Sequence, residues 1–293
     1  MNYNVTHRTI YEYAAPVAVS HHVARLEPRG TPIQSPENFA LKIHPQPVLR
    51  KARTDYFGNH LCFFSVQEIH QRLEITAASR VSIRKPEPVT PESSPAWEEA
   101  ARLFRDPVAP DVVGPYQFVF DSPHVRASFD LANYARESFQ KDTPLLAGAL
   151  DLTRRIFKDF RYDSQATTVV TPIEEVLEKR HGVCQDFAHL GIACLRSLGL
   201  PARYVSGYLR THPPEGKEKL VGGDASHAWC SVFCPHNGWS DFDPTNNLQV
   251  SQEHITVAYG RDFSDVSPVA GILTGGGQHE VKVSVDVKEV PAT

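Results

Sequence analysis

The run Arg180-His181-Gly182-Val183-Cys184-Gln185-Asp186-Phe187-Ala188-His189-Leu190 places a thiol at the head of a segment with helical spacing. Phe187, Leu190, Gly191, Cys194, Leu195 and Leu198 follow Cys184 at intervals of three and four, which predicts one apolar stripe of a helix. Gly182 permits a tight turn before it, and Gly199 with Pro201 ends it. A thiol in the first turn faces unpaired backbone N–H groups and the positive end of the helix dipole. That setting favours the nucleophilic thiolate, and the same N–H groups suit the oxyanion of a tetrahedral intermediate. Taken alone, a cysteine here reads more readily as a small buried core residue.

Two later residues change that reading. Ala228 to Cys234 has the pattern of a strand with His227 at its entry, and Trp239 to Asp243 that of a second strand ended by Pro244. Pro235-His236-Asn237-Gly238 between them predicts a hairpin, with Asn-Gly as the turn signal. The hairpin is expected to set His227 beside Asp243, so that the carboxylate accepts an imidazole N–H. Cysteine, histidine and aspartate in those roles are what nucleophilic thiol catalysis needs. Asp241, two residues earlier on the same strand face, is the competing carboxylate.

These blocks resemble the transglutaminase-like superfamily, a papain-like group of transglutaminases, peptidases and amide hydrolases. The matching segments are Gly182-Val183-Cys184, His227-Ala228-Trp229 and Gly238-Trp239 through Asp243-Pro244-Thr245, with Gly199 to Tyr208 as a further core segment. Tyr11-Glu12-Tyr13, Arg25-Leu26-Glu27-Pro28-Arg29 and Asp55-Tyr56-Phe57-Gly58-Asn59 resemble the β-domain that precedes this core in a bacterial subgroup. The resemblance implies Cys184 as nucleophile, His227 as general base and Asp243 as orienting carboxylate. It adds Tyr162 as an aromatic near the cleft, while Gln185, in the first helical turn, is a candidate for oxyanion or substrate contact. The implied fold is α+β: an N-terminal β-sandwich-like domain, then a papain-like core whose nucleophile-bearing helix packs on an antiparallel sheet. The implied activity is cleavage of amide bonds in a peptide or protein through a thioester, without a cofactor. Transamidation of protein glutamine and a non-catalytic peptide-binding domain are the alternatives.

The remaining sequence bounds this picture. The chain has 293 residues, 41% of them hydrophobic and 22% charged, enough apolar material for a real core. A net charge of -4 without a basic block argues against nucleic acid as a partner. No apolar run approaches the ~18 residues of a membrane span. Five cysteines, an odd count, and a start without a signal-peptide pattern fit a reducing, cytoplasmic location. Oligomeric state is not legible. Residues 1–85 read as all-β, 86–144 as a proline-rich connector with one helix near Ala96 to Phe104, and 145–293 as the catalytic core. Cys230, Cys234 and His236 have zinc-ligand chemistry, but strand alternation sets them on the face opposite His227, so no metal site is expected.

Overall fold

Strand β1 (Asn2–Ala24) organises the first layer of the molecule. Tyr3, Val5, His7 and Thr9 are buried while Asn4, Thr6 and Arg8 are exposed, the alternation of a strand with one wet face. Strands β2 (Gln34–His44), β3 (Leu49–Thr54), β4 (His60–Val66) and β5 (His70–Ile83) join it in the order β2-β5-β1-β4-β3. At 23 residues β1 serves two sets of neighbours: β5 pairs mainly with its first half and β4 with its second. The computed structural model describes residues 1–86, 90–105, 110–163, 171–212 and 224–291. Strand β3 is exposed along its whole length, so it lacks the hydrophobic alternation by which a strand is read from sequence.

The middle of the chain builds the second layer. Helices α1 (Trp97–Leu103), α2 (Pro110–Tyr116), α3 (Phe129–Arg136) and α4 (Leu145–Asp159) lead to the short strand β6 (Arg161–Tyr162). Helix α5 (Ile173–Lys179) and strand β7 (His181–Gly182) follow, and β7 pairs in parallel with β6. Next come helix α6 (Cys184–Ser197) and strands β8 (Ala202–Leu209), β9 (Ala225–Cys234), β10 (Gly238–Asp243), β11 (Leu248–Gln249) and β12 (His254–Gly260). The five strands form an antiparallel sheet in the order β11-β10-β9-β8-β12. Helix α3 lies within the stretch expected to hold a single helix; Ser128 caps it and Leu131, Ala132, Tyr134 and Ala135 bury its inner face.

The chain then returns to the first layer, which corrects the expected 145–293 unit. After α7 (Phe263–Val266), strands β13 (Val269–Gly275) and β14 (His279–Val290) run antiparallel along β1. Val285 and Val287 there are buried in the same core as Tyr3 and Val5, so hydrophobic burial places residues 269–290 in the N-terminal sheet. Gly275, Gly276 and Gly277, all at positive φ, form a paired bend: Gly276 N–H donates to Pro16 O and Ala15 N–H to Gly276 O.

Helix α6 is buried without a break from Asp186 to Arg196, so it is a central helix rather than one with a single apolar stripe. Arg196 fastens its C-terminal half. Its guanidinium donates to Ala202 O from Nε and Nη2, to Phe120 O and Ser122 Oγ from Nη1, and to Arg261 O from Nη2. A buried cation is tolerable when all its donors are occupied in this way.

Two amide side chains join the layers along β12. Gln34 donates to Thr256 O at 2.8 Å and accepts Thr256 N–H at 2.9 Å. Asn59 donates to Tyr259 O at 2.7 Å and accepts Tyr259 N–H at 2.8 Å. Each amide pairs with the backbone of an edge strand as a neighbouring strand would. Arg29 donates to Asn59 Oδ1 and lies over the Tyr259 ring at 4.2 Å, while Asp55 accepts from Asn59 and Arg25. Gln34→Ala should therefore lower stability by about 2–4 kcal/mol, the cost of orphaning two buried backbone groups. Urea unfolding measures this against Lys51→Ala on exposed β3, expected to stay within about 0.5 kcal/mol.

Candidate active site

Cys184 is the first residue of α6, and Val183 before it is extended. Asp186 Oδ2 accepts the Val183 N–H at 2.8 Å, which closes the start of the helix. Gly182 is required here, because a Cβ at that position would lie 2.8 Å from Asp186 Oδ2. Cys184 is half-buried, whereas Cys62, Cys194, Cys230 and Cys234 are buried. Burial pushes the Cys194 thiol up to about 12, that of Cys234 up to about 11, and that of Cys230 higher still.

His227 and Asp243 meet as the hairpin demands, with two differences in detail. The loop leaves Cys234 paired with Gly238, and positive φ falls on His236 and Gly238 rather than on Asn237. Continuing the register one step beyond Phe242–Cys230 sets Trp229, not His227, opposite Asp243. His227 is thus the diagonal neighbour on the same face, within reach of a long side chain. Its Nε2 donates to Asp243 Oδ2 at 2.7 Å, with both groups buried. Cys184 lies close enough to the same imidazole to favour its charged form, and with Nε2 turned to Asp243 it is Nδ1 that is left for sulfur.

Asp243 is fully buried, and its charge is met from all sides. Oδ1 accepts the Thr245 and Asn246 N–H groups at 2.9 and 3.2 Å. Oδ2 accepts His227, the Asn246 amide at 2.7 Å and His254 Nε2 at 3.1 Å. Burial alone would raise the carboxyl, but the hydrogen bonds from His227, His254 and Asn246 hold it well below the usual carboxylate range. Burial likewise opposes charge on His227, and the bond to Asp243 with the nearness of Cys184 outweighs it, lifting the imidazole to about 9. Sequence reading missed His254 and Asn246. Their signals are a histidine heading an otherwise apolar strand and an asparagine closing the turn Asp243-Pro244-Thr245-Asn246.

His227, Asp243 and His254 bring potential metal ligands within 4.8 Å, yet the spacing is that of hydrogen bonds. Two ligands at ~2.0–2.1 Å around a tetrahedral zinc lie roughly 3.3 Å apart, and His227 and Asp243 are 2.7 Å apart. Cys230 and Cys234 donate to Phe242 O and Asn237 Oδ1 within the core. Asp241 accepts the Trp229 indole N–H at 3.1 Å, which removes it from competition for His227. Gln185 is half-buried beside Cys184. Tyr162, paired in register with Gly182, is 55% exposed, and burial together with the neighbouring Cys184 raises its hydroxyl. His189 is buried, stacks on His124 at 5.4 Å and accepts the Phe263 N–H.

Comparison with known proteins identifies the family and the fold. Residues 132–244 match the family model of the transglutaminase-like superfamily, and residues 3–82 that of the bacterial transglutaminase-like N-terminal region. The chain is 42% identical over 292 residues to the Mycobacterium tuberculosis protein Rv2569c, covering 97% of this chain and 92% of that one. It belongs to the transglutaminase-like superfamily. A crystal structure of a "putative cysteine protease" from Cytophaga hutchinsonii shares the fold, with a TM-score of 0.74 at 21% identity over 100% of this chain and 92% of that one. A protein-glutamine gamma-glutamyltransferase of Pseudomonas aeruginosa is 31% identical over 142 residues, 46% of this chain and 20% of that protein. In this chain Cys184 stands at the start of α6, and His227 and Asp243 on the adjacent strands β9 and β10.

Two outcomes follow for this transglutaminase-like site. Brief iodoacetamide treatment near pH 6 should label Cys184 ahead of the four buried thiols, as read by peptide mass spectrometry. The second concerns pH. The folded imidazole of His227 titrates near 9, above its unfolded value of ~6.5, so its stabilisation is complete below ~6.5 and lost as pH rises through about 9. Melting temperatures across that window should fall in the wild type, and His227→Gln should lack this part of the decline.

Proposed function

We propose that the protein is a thiol enzyme that cleaves amide bonds, with Cys184 as nucleophile, His227 as general acid–base and Asp243 as the orienting carboxylate. The observation that carries this reading is the line from thiol through imidazole to buried carboxylate, with the His227–Asp243 bond at 2.7 Å. The Cys184 thiolate attacks the carbonyl carbon, and the oxyanion is held by the N–H groups of the first turn of α6. As the C–N bond breaks, the imidazolium of His227 gives its proton to the departing amine and a thioester remains. Water, deprotonated by His227, then attacks the thioester and frees the Cys184 thiol. A peptide or protein supplies the amide. Tyr162, near Cys184, is exposed to solvent, and water is the acceptor in this reading, as in a peptidase or amidase. Five free cysteines suit a reducing, cytoplasmic setting.

A second reading is favoured by the sequence similarity to the Pseudomonas glutamyltransferase: a primary amine, rather than water, resolves the thioester. The two share every step up to the acyl-enzyme and differ in which nucleophile reaches it. Incubation with a peptide library, with and without a labelled primary amine, separates them by product mass. New peptide termini or a one-dalton gain at glutamine mark hydrolysis; amine incorporation exceeding both marks transamidation. Cys184→Ala should abolish turnover with folding intact, and Asp243→Asn should lower kcat on the order of a thousandfold or more by disturbing the His227 tautomer. Turnover at wild-type rates in either variant overturns the assignment.

A further inference from the structure

His254 heads β12, at the opposite edge of the sheet from β10, with β9 and β8 between them. In a flat sheet three strand spacings amount to roughly 14 Å. Yet His254 Nε2 lies 3.1 Å from Asp243 Oδ2, so the sheet is curled at the end where the site lies and the two side chains span what separation is left between β12 and β10. Gly207 of β8 makes this curl possible, since a Cβ there would lie 2.2 Å from Ile255 O and 2.5 Å from the Trp229 ring.

We propose that His254 is a positioning residue: its Nε2–H clasps Asp243 across the curled sheet and holds Oδ2 toward His227 Nε2. The inference rests on the thiol-enzyme reading above. Ser251 N–H points at His254 Nδ1 at 3.4 Å, which assigns the proton of the neutral ring to Nε2 and aims it at the carboxylate. His254 is 3% exposed, so water is not at hand to replace it. Its ring stands edge-on to Trp229 at 5.2 Å, with an interplanar angle of 83°. Of the other side chains on Oδ2, Asn246 belongs to the same turn as Asp243 and moves with it. His254 comes from a separately anchored strand. Gln252 donates to Ile83 O at 3.2 Å just before β12, and Gln34 brackets Thr256 just after His254. The N-terminal sheet therefore sets the position of His254 from both sides.

The titratable groups around this clasp are Cys184 from α6, His227 from β9 and Asp243 from β10, with Asp241 held off by the Trp229 indole. Three readouts test it: Cys184 labelling by iodoacetamide at pH 6, kcat and KM on the best amide substrate, and the NMR resonance of the His227 Nε2 proton. His254→Phe, folded by circular dichroism, should slow labelling and lower kcat on the order of 10- to 100-fold, the size of one hydrogen bond to a charged group, with KM within about twofold. The His227 proton should shift. His254→Gln, whose amide N–H can reach Oδ2, should restore most of all three. Where the phenylalanine variant does not fold, His254→Asn, too short to reach Oδ2, takes its place. Wild-type labelling and an unmoved His227 proton in the phenylalanine or asparagine variant overturn the proposal, as do equal losses in the glutamine variant. Absence of selective Cys184 labelling in the wild type overturns the thiol-enzyme reading instead, and the His227 resonance still decides the role of His254.

Discussion

A fully buried carboxylate is the constraint around which this molecule is arranged. Asp243 has no solvent to stabilise its charge, and an unpaired ionised carboxylate in such a place would simply protonate. Five donors prevent that: two backbone N–H groups, two imidazoles and one amide. Each comes with a structural demand. The backbone donors need the turn after Pro244, His227 needs the β9–β10 register, and His254 needs a sheet curled through nearly its full width. An imidazole placed against so well-supported an anion keeps its own charge to about pH 9. That is the property a thiolate partner requires at neutral pH.

The N-terminal sheet enters this arrangement through β12. An edge strand with open backbone groups is prone to slip or to pair with another chain. Here Gln34 and Asn59 occupy those groups at Thr256 and Tyr259, with the Arg29 guanidinium stacked beside them. The sequence segments that resemble the bacterial N-terminal region, around Arg25 to Arg29 and Asp55 to Asn59, are in large part this fastening. Asp224 makes a second joint, since its carboxylate accepts Thr211 and Val287 N–H groups and ties the approach to β9 to strand β14.

What sequence could tell followed from local rules. The start of α6, the β9–β10 hairpin and the order of cysteine, histidine and aspartate rest on short-range spacing, which survives without knowledge of the fold. Local rules could not reveal that residues 269–290 belong with residue 2 rather than with residue 260, because nothing in an alternating strand states its partner. The same limit hid His254. Its role depends on the curl of a five-stranded sheet, a long-range property to which Gly207 and the β12 bulge between Thr256 and Ala258 contribute. Strand β3 escaped for a different reason: exposed on both faces, it carries no burial pattern at all.

The two faces of the second sheet differ in chemistry. Ala202, Cys230, Val232 and Phe242 belong to the apolar core that also holds the buried residues of α6. The opposite face carries Arg203, His227, Trp229, Asp241, Asp243 and Tyr259, which alternation and register place together. Such a face cannot be left to water without losing the low-dielectric setting that strengthens the His227–Asp243 bond. Nor can it be covered by plain hydrocarbon, given two carboxylates two residues apart. The solution is to give each anion its own partners. Asp241 takes the Trp229 indole and lies near Arg203, whose guanidinium is sandwiched between Trp239 at 4.0 Å and Tyr259 at 3.6 Å. Asp243 is then left to the histidines. With the charges partitioned in this way, a single carboxylate remains in contact with His227.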